Sequence, residues 1–138
     1  MNDAEPDTIG ELDAARAAAR QSAEAALATV IAVMARLYPE ARYLTVSVGK
    51  ERAAISETLT ADGTPYVLPV RDGKAMLAFV VGDRPLAELP EEARPLLGRH
   101  AGDRTRTLND ILTDCCRLGG RFPADSVRRH GTVRLTLR

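Results

Sequence analysis

Between Ala41 and Val81, short apolar runs are separated by turn dipeptides, a pattern that restricts the chain to folds built around an antiparallel sheet. Leu44, Val46 and Val48 alternate with Tyr43, Thr45 and Ser47, the period of a strand with one buried face. Gly49-Lys50-Glu51-Arg52 is a polar loop leading into a second run, Ala53 to Thr60. Asp62-Gly63 tolerates positive φ at both central positions of a hairpin turn. Tyr66 to Val70 follows, Asp72-Gly73 repeats the turn signal, and Ala75 to Val81 completes a four-stranded meander.

The turns set a register. Val48 falls opposite Ala53, Val46 opposite Ile55 and Leu44 opposite Glu57. With Asp62-Gly63 as the next loop, Leu59 faces Tyr66, Glu57 faces Leu68 and Ile55 faces Val70. The last turn sets Leu68 opposite Leu77 and Tyr66 opposite Phe79. One face of the meander thereby collects nearly all its large apolar residues, an agreement that a one-residue slip destroys. Two residues resist. Pro69 has no N–H for a ladder, which implies a bulge or a split sheet. Glu57 lands on the apolar face. A bulge or a rim position accounts for it most simply; the alternative is a partly buried carboxylate with a cationic partner, which would make it a ligand-binding or catalytic candidate.

Helical sequence lies on both sides. Residues 1–7 are expected to form a flexible tail. Thr8-Ile9-Gly10-Glu11 matches a capping box and starts a long alanine-rich helix ending near Leu37, ahead of Pro39. Its second half carries Leu27, Val30, Ile31, Met34, Leu37 and Tyr38 on one face, the cover for the apolar side of the sheet. Its first half has Leu12 as its main large apolar residue and must fray, pack on another helix or project toward a second subunit. Pro85–Leu89 and Pro90-Glu91-Glu92 suggest short helices. Asp103 or Thr107 can cap another, with Leu108, Ile111, Leu112, Cys115 and Leu118 as its buried stripe and Gly119-Gly120 as its stop. Pro123-Ala124-Asp125-Ser126 reads as one more helical turn. Thr132 to Arg138 alternates as an amphipathic strand, expected beside the first. The fold class is therefore α+β: about five mainly antiparallel strands (the meander at 41–81 and a C-terminal strand at 132–138) packed on a long N-terminal helix, with further helices between 85 and 119, in one domain spanning 1–138.

Composition limits the function classes. The 138 residues are 45% hydrophobic and 28% charged, with zero formal net charge, so no global field favours nucleic acid or membrane. The acidic N-terminus lacks a signal-peptide opening, and the apolar run from Ala25 to Ala35 is too short to span a bilayer, which implies a cytoplasmic protein without a membrane partner. Seventeen arginines against two lysines, with abundant alanine, suggest a GC-rich bacterial genome. Cys115 and Cys116 are adjacent, which disfavours a bridge between them. Their spacing from His100 and His130 matches no zinc pattern, and no glycine-rich phosphate loop opens a helix, so neither metal nor cofactor is expected. On the helix with the Leu108–Leu118 stripe, Asp110 and Asp114 with Arg106 and Arg117 read as a solvated ion-pair face.

Two surfaces remain as candidates. Charge is uneven: Met1–Glu24 holds six acids and two arginines (−4), Arg99–Arg138 nine arginines and four aspartates (+5). Either the two ends dock on each other, or Arg117, Arg121, Arg128, Arg129 and Arg134 form a surface for phosphate or an acidic partner. The outward face of the meander is hydroxyl-rich in its first half but apolar in its second, at Val67, Met76, Ala78 and Val80. Such a patch calls for cover by the chain's own helices, by a protein partner or by a second copy. The leading expectation is a small non-catalytic interaction module, a homodimer, using that patch. The alternatives are a binder of nucleic acid or an anionic ligand through Arg128, Arg129 and Arg134, and a small enzyme using Glu57 or a cysteine–histidine pair.

Overall fold

The structure, a computed structural model, describes residues 8–66, 68–71 and 74–138. The tail expected at 1–7, Val67 and the Asp72-Gly73 turn lie outside the described residues. The fold is α+β: a long N-terminal helix, a four-stranded antiparallel sheet and several shorter helices.

Helix α1 spans Thr8–Leu37. Alanine supplies its propensity throughout, and its buried residues all lie from Ala23 onward. Leu27, Val30, Val33, Met34 and Leu37 are buried there at three- and four-residue spacing. Arg138 closes the far end: its guanidinium donates to the carbonyl oxygens of Ala35 in the last turn and of Tyr38 (2.9 Å) and Ala41 just beyond it.

Strands β1 (Tyr43–Val48) and β2 (Ala53–Leu59) form the expected hairpin, with Val46 opposite Ile55 and Val48 opposite Ala53. The register then shifts: Thr45 pairs with Glu57 and Leu44 with Thr58, leaving Ser56 as a bulge. The bulge flips the remainder of β2. Glu57 faces water and Thr58, 1% exposed, faces the core, where its hydroxyl donates to the carbonyl of Tyr66 at 2.8 Å. The C-terminal strand also falls as expected: Thr132–Thr136 runs antiparallel to the other edge of β1.

The rest of the meander does not form one sheet. Residues Leu68–Arg71 (β3) and Lys74–Met76 (β4) make a separate two-stranded hairpin. A lone bridge between Leu59 and Pro65, together with the Tyr66 N–H donating to the Thr58 carbonyl, joins the approach to β3 with β2. The segment expected to end the fourth strand is helical instead: Ala78–Gly82 forms helix α2. An unbroken apolar run carries no period, so it reads equally as strand or buried helix.

The place reserved for a third strand is taken by helix α4 (Leu108–Arg117), which lies along the free edge of β2. Two of its side chains act as ladder partners. Asn109 Oδ1 accepts from the Ile55 N–H at 2.7 Å, while the Thr113 hydroxyl accepts from Ala53 N (3.0 Å) and donates to Ala53 O (3.1 Å). An edge strand is thus capped without another strand. Gly82 allows α2 to close over the same place, since a Cβ there would stand 2.7 Å from Asn109 Oδ1. Thr107 caps α4 in a reciprocal capping box with Asp110. Before it come 3-10 turns and the short helix α3 (Arg94–Leu97).

The helical turn expected at Pro123–Ser126 is a non-helical turn leading into strand β5 (Val127–Arg129), which pairs with the C-terminal strand β6 (Thr132–Thr136). His130 and Gly131 join them with φ of 50° and 77°, the double positive φ of a tight hairpin turn. Sheet order is β2-β1-β6-β5. Leu44, Val46, Ile55, Val133 and Leu135 form its buried face.

Candidate functional site

The sheet sorts the arginines. Across the β5–β6 pair, Arg128 stands opposite buried Val133 and so shares its face, whereas Arg129 stands opposite Thr132 and Arg134 opposite Val127, on the outer face. On that outer face the Arg134 guanidinium stacks 4.4 Å above the Tyr43 ring. The three expected ligand-binding arginines are therefore split, and only Arg128 joins other cations in a cavity.

That cavity is a basin of about 540 Å³ between the β1–β2 loop, the end of α4 and β5. The loop is closed by the Gly49 N–H donating to the Arg52 carbonyl at 2.8 Å and carries Lys50, Glu51 and Arg52 to the rim. Arg117 comes from the last turn of α4. Gly119, at φ 72°, reverses the chain after α4, and the Gly120 N–H donates to the Cys115 carbonyl at 2.8 Å. The reversal brings Arg121 to the wall. Its backbone N–H, not its guanidinium, donates to Glu24 Oε2 at 2.5 Å. Gly120 must be glycine, because a Cβ there would meet Cys115 Sγ at 2.5 Å. Gly131 accepts from the Val48 N–H at 2.7 Å, fixing the β5–β6 turn beside the first strand.

Five basic side chains line the basin, Lys50, Arg52, Arg117, Arg121 and Arg128, against the single carboxylate of Glu51. Arg52 is partnered by Asp83 at 2.8 Å, a solvated pair. Among the described residues, the other four make no side-chain ion pair. The expected ion-pair face of α4 is only half realised: Arg106 takes Asp114 at 2.6 Å, Asp110 serves the helix cap, and Arg117 borders both the basin and the cleft that holds Asp110 and Asp114.

Cys116 lines the basin and Cys115 lies behind it in the core. Burial pushes the Cys115 thiol up to about 11, with Cys116 and Glu24 adding to the rise. Burial also raises the Cys116 thiol, against the opposing pull of the Arg128 charge. Both thiols are protonated at neutral pH, the unreactive form. Neither histidine is hydrogen-bonded to a thiol among the described residues. His100 lines a different cavity, of about 310 Å³, between α1 and the α3 region, and His130 sits in the β5–β6 turn. Glu57 is exposed on the outer sheet face, so the cysteine–histidine pair and the buried carboxylate are both absent as geometries among the described residues. No group of three or more His, Cys, Asp or Glu among them is arranged to hold a metal.

No family model, curated protein or solved structure matches this chain.

The apolar surface expected on the sheet is rearranged. Met76 ends β4, half-buried, and its carbonyl accepts from the Tyr38 hydroxyl at 2.9 Å. Ala78 is buried in the core and Val80 is 40% exposed on α2. They share no sheet face, because the chain leaves extended structure at Leu77. Leu77 and Phe79 are exposed near Val80 instead. No described helix is long and apolar enough to cross a membrane.

Proposed function

We propose that the chain is a non-catalytic binding module that holds a small phosphate-bearing ligand in the arginine basin. One observation carries this reading: four cationic side chains converge on one concavity without an internal counter-ion among the described residues. Like charges gathered in this way repel, and an oxyanion relieves that repulsion while accepting charge-assisted hydrogen bonds. The basin's volume falls in the range of small-molecule sites. A nucleic-acid strand fits less well. Phe122 is the only aromatic residue in the lining, so there is no stacking platform, and Arg129 and Arg134 lie across the sheet where one strand cannot engage both sets.

The test is calorimetric titration with inorganic pyrophosphate and with a single-stranded oligonucleotide at low and high salt. Pyrophosphate should bind, with affinity falling as salt rises. Arg117→Ala and Arg128→Ala should each weaken it roughly tenfold or more, the worth of a charge-assisted hydrogen bond. Arg129→Ala and Arg134→Ala should leave it unchanged. No pyrophosphate binding at low salt, or equal losses on both faces of the sheet, would overturn the reading. Tighter binding of the oligonucleotide would replace it with a nucleic-acid function.

A further inference from the structure

A second concavity lies where α1 meets the helices that follow the sheet. Ser22, Ala25, Ala26 and Thr29 recur at three- and four-residue intervals, so they share one side of α1. All four are small, and they leave a gap between α1, Leu97 of α3 and Ile111 of α4, a cavity of about 310 Å³. Leu97 and Ile111 belong to the core, and Ala26 is half-buried against it. The Thr29 hydroxyl donates back to the Ala25 carbonyl at 3.3 Å and needs no acceptor from a ligand. The floor is therefore aliphatic, and no Phe, Tyr or Trp lines the cavity among the described residues.

Its charges have one sign. Gly98, at φ 57°, ends α3 and opens the 3-10 turn at Gly98–Gly102, from which Arg99 and His100 reach the cavity with their side chains exposed. Neither makes an ion pair, and no carboxylate lines the cavity, among the described residues. Arg106 also borders it, but Asp114 holds that guanidinium at 2.6 Å. An aliphatic floor with a few polar groups at its rim is the usual make-up of a small-molecule site, and this volume suits a small one. Of the two free donors only Arg99 is charged at every pH, and its planar fork matches a carboxylate. The pair answers a single negative charge on an apolar body, unlike the phosphate assigned to the basin.

We infer that this cavity binds a small aliphatic carboxylate, with its alkyl chain over Ala26, Leu97 and Ile111 and its carboxylate on Arg99 and His100. The site is independent of the arginine basin, with which it shares no lining residue.

NMR titration of the full chain with hexanoate tests this, with hexan-1-ol and hexylammonium as probes of the same length and different charge. Hexanoate should give saturable shifts at the amides of Ala26, Leu97, Arg99 and Ile111. Hexan-1-ol should bind about tenfold more weakly, and hexylammonium not at all, since each lacks the charge-assisted hydrogen bond to Arg99. Arg99→Ala should cost hexanoate a similar factor. Ala26→Leu should fill the cavity and abolish binding with the circular dichroism unchanged; Ala25→Leu, at an exposed position on the same wall, should block it without touching the core. Arg117→Ala and added pyrophosphate should leave hexanoate binding as it was. Absence of saturable shifts at these amides would overturn the inference. So would hexan-1-ol binding as tightly as hexanoate, or folded Ala25→Leu and Ala26→Leu variants that bind like wild type. Loss of hexanoate binding in Arg117→Ala, or its displacement by pyrophosphate, would place the acid in the basin and overturn it as well.

Discussion

Asn109→Ala tests whether α4 stands in for a missing strand. Asn109 is 2% exposed; its Oδ1 accepts from the Ile55 N–H at 2.7 Å and its Nδ2 donates to Asp83 Oδ1 at 3.0 Å. Truncation leaves a buried donor without a partner, at a cost of about 1–3 kcal/mol. The space vacated by the amide adds about 1 kcal/mol more. The expected total is about 2–4 kcal/mol, a large share of the ~5–15 kcal/mol that holds a domain together. In urea the midpoint should fall by roughly 1–2 M with the slope unchanged. Hydrogen exchange should show the Ile55 amide losing protection ahead of the Val46 amide in the interior strand. Asp83→Ala is the comparison: it takes the acceptor from Asn109 Nδ2 and the solvated pair from Arg52 but keeps the bond from the Ile55 N–H to Asn109 Oδ1, so Ile55 should stay protected. Asn109→Asp keeps the acceptor but sets a carboxylate against Asp83, so its deficit should shrink as pH falls and a proton returns to the pair. An Asn109→Ala variant within about 0.5 kcal/mol of wild type, with Ile55 still protected, would refute the idea that this side chain completes the sheet edge.

Gly82→Ala should destabilise by about 1–3 kcal/mol through overpacking, since the new methyl would sit 2.7 Å from Asn109 Oδ1 and 3.0 Å from Ile55 Cβ. A thermal melt equal to wild type would show that α2 shifts freely. The thiols give a pH signature. In the folded protein Cys115 ionises near 11, whereas an unfolded thiol ionises near 9. Between those values the unfolded state alone loses its proton, so stability should be flat below pH 9 and fall from 9 toward 11. A chromogenic disulfide reagent at neutral pH should modify Cys116 slowly and Cys115 only on unfolding. Equal, fast reaction of both would contradict their burial.

What the sequence disclosed was whatever a local period or turn residue dictates. The bounds of α1, the Val46–Ile55 register, the Thr107 cap and the place of the last strand beside β1 all follow from patterns shorter than one element. The failures have equally specific causes. The run from Met76 to Val81 has no period, so nothing marked the change to helix at Ala78. His130-Gly131 was the missed signal for β5: it adopts the double positive φ expected of Asp62-Gly63, where only Gly63 is positive and Leu59 pairs with Pro65 instead of Tyr66. The bulge at Ser56 rests on one unpaired residue, although the misplaced Glu57 pointed to it. Asn109 and Thr113 looked like ordinary polar positions on α4. Their role appears only once β2 is known to be an edge strand.

The basin shows why a count of charges did not locate a site. The acidic start and the basic end of the chain could have neutralised each other, and one contact between them exists, Glu24 to Arg121. It is made by the Arg121 backbone N–H, so the carboxylate positions the chain after α4 and leaves the guanidinium unspent. Arg106 and Asp114 cancel locally, and Arg134 is occupied by the face of Tyr43. What remains is Lys50, Arg117, Arg121 and Arg128, gathered from three separate segments by the β1–β2 loop, the turn at Gly119-Gly120 and the register of β5. Shifting β5 by one residue would exchange Arg128 for Arg129 and send the first to the outer face. The register of a three-residue strand, fixed by His130-Gly131, therefore decides whether the basic segment forms a concavity or a scattered surface. A residue that forbids positive φ at position 131 should accordingly disperse the basin's charge without removing any arginine.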